Sequence, residues 1–135
     1  MTDTNRRITL LVALICAVVG CSQGDLPDLA PVSGVVTLDG KPLGNKQVIF
    51  MPENGRPSMG ETDEDGAYEL SYTAQIKGAI IGHHAVTITT PPPNQGDGNL
   101  KGYKETVPAK YNSKSELKAE VESGRNTLNF ELKTN

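Results

Sequence analysis

Tryptophan is missing from this 135-residue chain, phenylalanine occurs twice, and aromatic residues together make up 4% of it. A core of that composition has to be filled by Val, Ile and Leu, side chains that suit a pleated surface. Cysteine is as scarce. The two copies, Cys16 and Cys21, supply no framework of disulfides and no cysteine-rich zinc set. Basic residues nowhere run together with interleaved aromatics, which points away from nucleic acid as a partner. After residue 19 no apolar stretch approaches the roughly 20 residues that a membrane-spanning helix needs, and no sustained helical spacing of apolar residues appears.

What the amino-terminal region does contain is an export signal over residues 1–20. Arg6 and Arg7 form a positive head, Ile8 to Val19 an apolar stretch, and Gly20 a small residue before a cleavage point. The Asn5 and Ile8 flanks of the arginine pair fit twin-arginine export loosely, so general secretion is the plainer reading. Val18-Val19-Gly20-Cys21 resembles the lipobox of bacterial lipoproteins, in which the Cys is acylated and becomes the first residue of the mature chain. Cys21 is therefore the expected lipidation site. Cys16, preceded by the branched Ile15, fits that role poorly. With Cys16 removed and Cys21 acylated, no thiol remains for a bridge, a metal or a nucleophile. The chain carries 13 Lys+Arg and 16 Asp+Glu; loss of Arg6, Arg7 and Asp3 leaves 11 against 15, a mildly acidic surface.

Residues 21–31 then read as the lipidated Cys and a tether, with Pro27 and Pro31 keeping it partly extended. From residue 32 to 135 the chain reads as one domain. Seven short segments alternate apolar and polar residues or are rich in β-branched ones: Val32–Leu38, Lys46–Met51, Gly60–Thr62, Ala67–Tyr72, His84–Thr90, Glu116–Val121 and Asn126–Leu132. Asp39-Gly40, Asp63-Glu64-Asp65-Gly66 and Ser123-Gly124 are turn signals between them. The short Gly60–Thr62 strand is expected to pair with Ala67–Tyr72 across the acidic turn, and Glu116–Val121 to form a hairpin with Asn126–Leu132. Asn94 to Thr106 reads as a long loop, with poor order around Gln95 to Leu100. Seven such strands bury their apolar faces by folding into two packed antiparallel sheets, so the expected class is an all-β sandwich.

Several pieces in this order resemble the carboxypeptidase regulatory-like, transthyretin-like β-sandwich family, in the small lipoprotein form common in planctomycete-type bacteria. They are Val32-x-Gly34-x-Val36, Asp39-Gly40-Lys41-Pro42-Leu43, Val48-x-Phe50-x-Pro52, Thr62-Asp63-x-Asp65-Gly66-x-Tyr68-x-Leu70, and Gly78-Ala79 with Gly82-x-His84-x-Val86-x-Ile88. Pro108-x-Lys110-Tyr111 and Asn126-x-Leu128-x-Phe130-x-Leu132 complete the set. His84 departs from the Tyr that relatives place there. The resemblance implies a Greek-key sandwich of transthyretin-like or immunoglobulin-like type, a non-catalytic domain of the cell envelope, lipid-anchored through Cys21, with an accessory or binding role towards a protein, glycan or cell-wall partner.

Chemistry in the residues themselves is sparse. Asp63 and Asp65 could contribute to a Ca²⁺ site, but Gly66 and Ala67 stand where further ligands belong, so a turn capped by its own aspartate is the expected role. His83 and His84 are neighbours on a strand and face opposite ways, which prevents a shared metal; His84 is expected to fill an aromatic-like slot and His83 to be exposed. An alternative reading, a hydrolase on the transthyretin-like fold, lacks the closing Tyr-Arg-Gly-Ser signature of that family, since Tyr111 is followed by Asn112-Ser113-Lys114. Iron dioxygenases on the same fold need Tyr and His ligands that converge on one metal. An internal Lys–Asn isopeptide would need Lys46, Asn129 and an acid such as Glu69 buried together, whereas all three read as outward or strand-end positions. No cofactor and no metal are expected.

Overall fold

Val32-Ser33-Gly34-Val35-Val36-Thr37-Leu38 alternates as a half-buried strand should, with Val32 and Val36 turned inward and Val35 exposed. In a computed structural model, which describes residues 24–93 and 101–135, this segment is the central strand of the first layer. The elements in chain order are β1 (Leu29–Ala30), β2 (Val32–Leu38), β3 (Lys41–Pro42), β4 (Gln47–Pro52), β5 (Ser58–Glu61), β6 (Ala67–Glu69), β7 (Ala79–Ile80) and β8 (Gly82–Thr89). A 3-10 turn (Ala109–Tyr111), β9 (Lys118–Val121), β10 (Asn126–Thr127) and β11 (Phe130–Leu132) follow.

The first layer is built on β2, flanked by β3 and β6 on antiparallel registers and by β10 and β11 on parallel ones. The second layer has the order β5-β4-β8-β9 and is antiparallel throughout. Apolar residues of both layers meet between them: Val32, Val36, Tyr68, Leu70, Phe130 and Leu132 from the first, and Val48, Phe50, Val86, Ile88 and Val121 from the second. Phe50 and Phe130 cross the gap edge to face with ring centres 6.0 Å apart. The protein is an all-β sandwich, as its alternation requires.

The pairing differs from the sequence expectation in three places. β5 and β6 do not form a hairpin across the acidic turn; β5 pairs with β4, β6 with β2, and a bridge between Met59 and Ser71 joins the layers at that edge. Likewise β9 joins β8 while β10 and β11 join β2. In both cases a tight turn carries the chain from one sheet to the other, because Phe50 and Val121 line the core from one side and Tyr68, Leu70 and Phe130 from the other. The parallel addition of β10 and β11 also makes the first layer mixed rather than wholly antiparallel. Finally, Leu29 and Ala30 belong to the fold and not to the tether: they pair with β7, and Ala30 is buried. The export signal, Cys16, Cys21 and the expected disorder around Gln95 to Leu100 lie outside the described residues.

Strand direction gives the sandwich two distinct ends. β2, β8 and β10 start, and β4, β6 and β9 finish, at the end where β1 enters; this entry end gathers residues 24–31, 53–57, 71–82 and 122–126. The Asp39-Gly40 corner, the acidic turn, Thr90 and the carboxyl-terminal residues lie at the far end.

Candidate binding surfaces

At the far end the acidic turn is held by its own first residue. One carboxylate oxygen of Asp63 accepts from the backbone N–H groups of Asp65 and Ala67, each at 2.9 Å. Gly66 has φ 77°, and a Cβ there would stand 2.4 Å from the Val36 carbonyl oxygen, so the turn packs against β2 closely enough to demand glycine. Asp63 thus has the capping role read from the sequence. Asp65 lies two residues on in the same exposed turn.

At the same end of the sandwich, Glu105 ties the end of the long loop to the end of β8. Its carboxylate accepts from the Thr90 N–H at 3.1 Å, the Thr90 hydroxyl at 2.8 Å, the Val107 N–H at 2.8 Å and the Tyr103 hydroxyl at 3.1 Å. Partial burial pushes this carboxyl upward, but the donors from Val107, Thr90 and Tyr103 outweigh it and hold it below the ordinary range. Desolvation pushes the Tyr103 phenol up, and its hydrogen bond to Glu105 adds to that. Glu105 carries no sequence motif, since its donors come from residues 15 positions away and from its own turn. Asp39, at the same end, accepts from the Thr134 N–H and hydroxyl at 3.0 and 2.8 Å, which lowers its carboxyl and anchors the carboxyl-terminal residues.

His83 and His84 face opposite ways, as strand geometry dictates. His84 is 3% exposed and packs on Phe50 with ring centres 5.5 Å apart, so it fills the aromatic-like slot. Its Nε2 lies 2.6 Å from the Ile80 carbonyl oxygen; a carbonyl has no proton to give, so Nε2 is the donor. Nδ1 is buried with no hydrogen-bond partner among the described residues. His83 is exposed on the outer face of the second layer. There it stands opposite Glu120, in a shallow trough of about 550 Å³ whose neighbouring row is Met51, Ala85 and Lys118. A second open depression, about 650 Å³, follows the β5–β6 edge and carries Glu61, Asp63, Glu69 and Lys77. Lys77 reaches Glu69 at 3.5 Å, a pair too exposed to add much stability.

The residues weighed for an isopeptide are apart in role. Asn129 is exposed and its side-chain oxygen accepts from the Val35 N–H at 2.9 Å, completing the β2 ladder where β10 gives way to β11. Glu69 is exposed on β6, paired with Lys77. Among the described residues no group of three His, Cys, Asp or Glu side chains is disposed to hold a metal ion.

No family model matches the chain, and no curated protein matches it. Among solved structures, it is similar to a DUF3823 family protein from Parabacteroides merdae ATCC 43184, with 18% identity and a TM-score of 0.42. The match covers 79% of this chain and 46% of that one, so the chain spans less than half the length of that protein.

Proposed function

We propose that the chain is a lipid-anchored, non-enzymatic module of the bacterial cell envelope, acylated at Cys21 and serving an accessory or binding role towards a protein, glycan or cell-wall partner. The observation that carries this reading is the Val18-Val19-Gly20-Cys21 sequence behind an apolar stretch, seven residues before the chain enters β1. The arrangement of the ends supports it. A chain fixed to a membrane through Cys21 turns its far end outward, where the Asp39-Gly40 corner, the acidic turn and the Tyr103–Glu105 limb form the exposed loops. The groups that catalysis would call on are engaged in structure: Asp63 and Glu105 cap their own backbones, and His84 donates into the core. The finer family assignment, carboxypeptidase regulatory-like, rests on the residue runs from Val32-x-Gly34-x-Val36 to Phe130-x-Leu132.

Mass spectrometry of the membrane fraction tests the anchor. An amino-terminal peptide beginning at Cys21 and carrying diacylglycerol is the expected result; a chain that begins at unmodified Met1 would sink it. For the partner role, cross-linking from residues of the far end in intact cells should capture a defined envelope component, whereas turnover of any substrate that is lost on changing His84 in a folded protein would favour the hydrolase alternative.

A further inference from the structure

We infer that the entry end of the sandwich is a membrane-docking surface, which rests on a zwitterionic bilayer once Cys21 is acylated; the inference builds on the anchoring reading above. Seven residues separate Cys21 from Leu29, and the eight Cα–Cα steps between the two reach at most about 28 Å when fully extended. β1 then fixes the entry point. Leu29 pairs with Ile80, and the Ile81 N–H donates to the Asp28 carbonyl at 2.9 Å. The surface nearest the anchor is therefore set by pairing and not by the path of a loose tether.

That surface carries two aliphatic side chains that the fold leaves in water. Leu26 is 59% exposed and Ile81 is 38% exposed, and the Asp28–Ile81 hydrogen bond brings their segments together. The same end of the molecule carries Arg56, whose guanidinium lies 5.4 Å above the Tyr72 ring, Arg125, and Lys77 paired with Glu69, together with Asp25, Asp28, Glu53 and Glu122. The mixed signs and slight acidic excess give no attraction to an anionic bilayer, so a zwitterionic one is the matching occupant. Two aliphatic contacts would not hold a free domain on a membrane. An anchored domain meets the bilayer at a high effective concentration, and contacts of that size then decide which end it presents.

The test uses the protein as the cell processes it, extracted from the membrane fraction and mixed with phosphatidylcholine vesicles that contain a lipid-borne quencher. A single cysteine carrying a fluorophore is placed at the entry end, Ser123→Cys, or at the far end, Glu64→Cys; both positions are exposed. The expected result is quenching at position 123 about threefold stronger than at position 64, falling to the far-end level when Leu26→Ser and Ile81→Ser are combined. Equal quenching at the two positions, in protein that floats with the vesicles, overturns the docking surface and leaves the anchor standing. Protein that does not float removes the anchoring reading, and this one with it.

Discussion

The Tyr68 hydroxyl donates a 2.5 Å hydrogen bond to the Leu128 carbonyl, joining β6 to the connection between β10 and β11 across the face of β2. Between the two lies Gly34 of β2, where a Cβ would stand 1.9 Å from that same carbonyl oxygen. The parallel addition of the carboxyl-terminal strands therefore depends on three residues at once: a hydroxyl that satisfies Leu128, a glycine that lets it approach, and Asn129, which gives the Val35 N–H its acceptor. Burial of the Tyr68 ring pushes its phenol upward, so the hydroxyl is a donor at any ordinary pH.

Tyr68→Phe keeps the ring against Phe130 and removes the donor. It is expected to cost about 1–2 kcal/mol in urea unfolding with an unchanged slope, since one buried carbonyl loses its partner. Gly34→Ala is expected to cost more, about 3 kcal/mol or beyond, because main chain must move to clear the new methyl. Equal stability of Gly34→Ala and the natural chain would contradict the close approach of Leu128 to β2.

The acidic turn separates a structural from a metal-binding role for Asp63. Its oxygen caps two N–H groups, a task that an amide oxygen performs nearly as well. Asp63→Asn is expected to stay within about 0.5 kcal/mol of the natural protein and Asp63→Ala to lose about 1 kcal/mol, both independently of added Ca²⁺. A melting temperature that rises with Ca²⁺ in the natural chain and not in Asp63→Asn would reverse this assignment.

Acid should loosen the Glu105 clamp. Its carboxyl is held below the ordinary value of 4.5 by the donors of Val107, Thr90 and Tyr103, so the folded state binds its proton less readily than the unfolded chain. The stabilisation is fully present above that ordinary value and disappears as the pH falls through the lower folded one. Glu105→Gln keeps an acceptor and removes a charge that solvent already screens, so it is expected to cost about 1 kcal/mol at pH 7 and to flatten part of the stability loss below pH 4.5. Hydrogen exchange of the Val107 and Thr90 amides checks it in Glu105→Ala, which removes the acceptor, and protection that persists unchanged there would refute the clamp.

Alternation alone makes the layers legible: Val32 and Val36, Val48 and Phe50, Tyr68 and Leu70, Val86 and Ile88 all face inward as their spacing demands. Strand pairing was not legible, because a period of two says which face is buried and not which neighbour lies alongside. The acidic turn and Ser123-Gly124 have hairpin chemistry, yet both carry the chain between sheets, where the core is closed from opposite sides. The backbone-binding roles of Glu105, Asn126 and Asn129 were not legible for a related reason. Each binds backbone groups whose positions the fold alone brings near, as when Asn126 donates to the Pro31 carbonyl from 95 residues away.

His84 stands at the limit of what the sequence could suggest, a polar ring in a slot that alternation reserves for an apolar one. Its Nε2–H satisfies Ile80 while Nδ1 has no hydrogen-bond partner among the described residues, so the site takes an aromatic ring with one donor. His84→Ala is expected to cost about 2–4 kcal/mol by leaving a cavity next to Phe50 and an unsatisfied Ile80 carbonyl. His84→Phe keeps the packing and loses the hydrogen bond, so about 1–2 kcal/mol is expected. Chemical denaturation of the two variants checks the order. If Phe proved as costly as Ala, the hydrogen bond to Ile80 would outweigh the ring packing, and the slot would be defined by its donor and not by its shape.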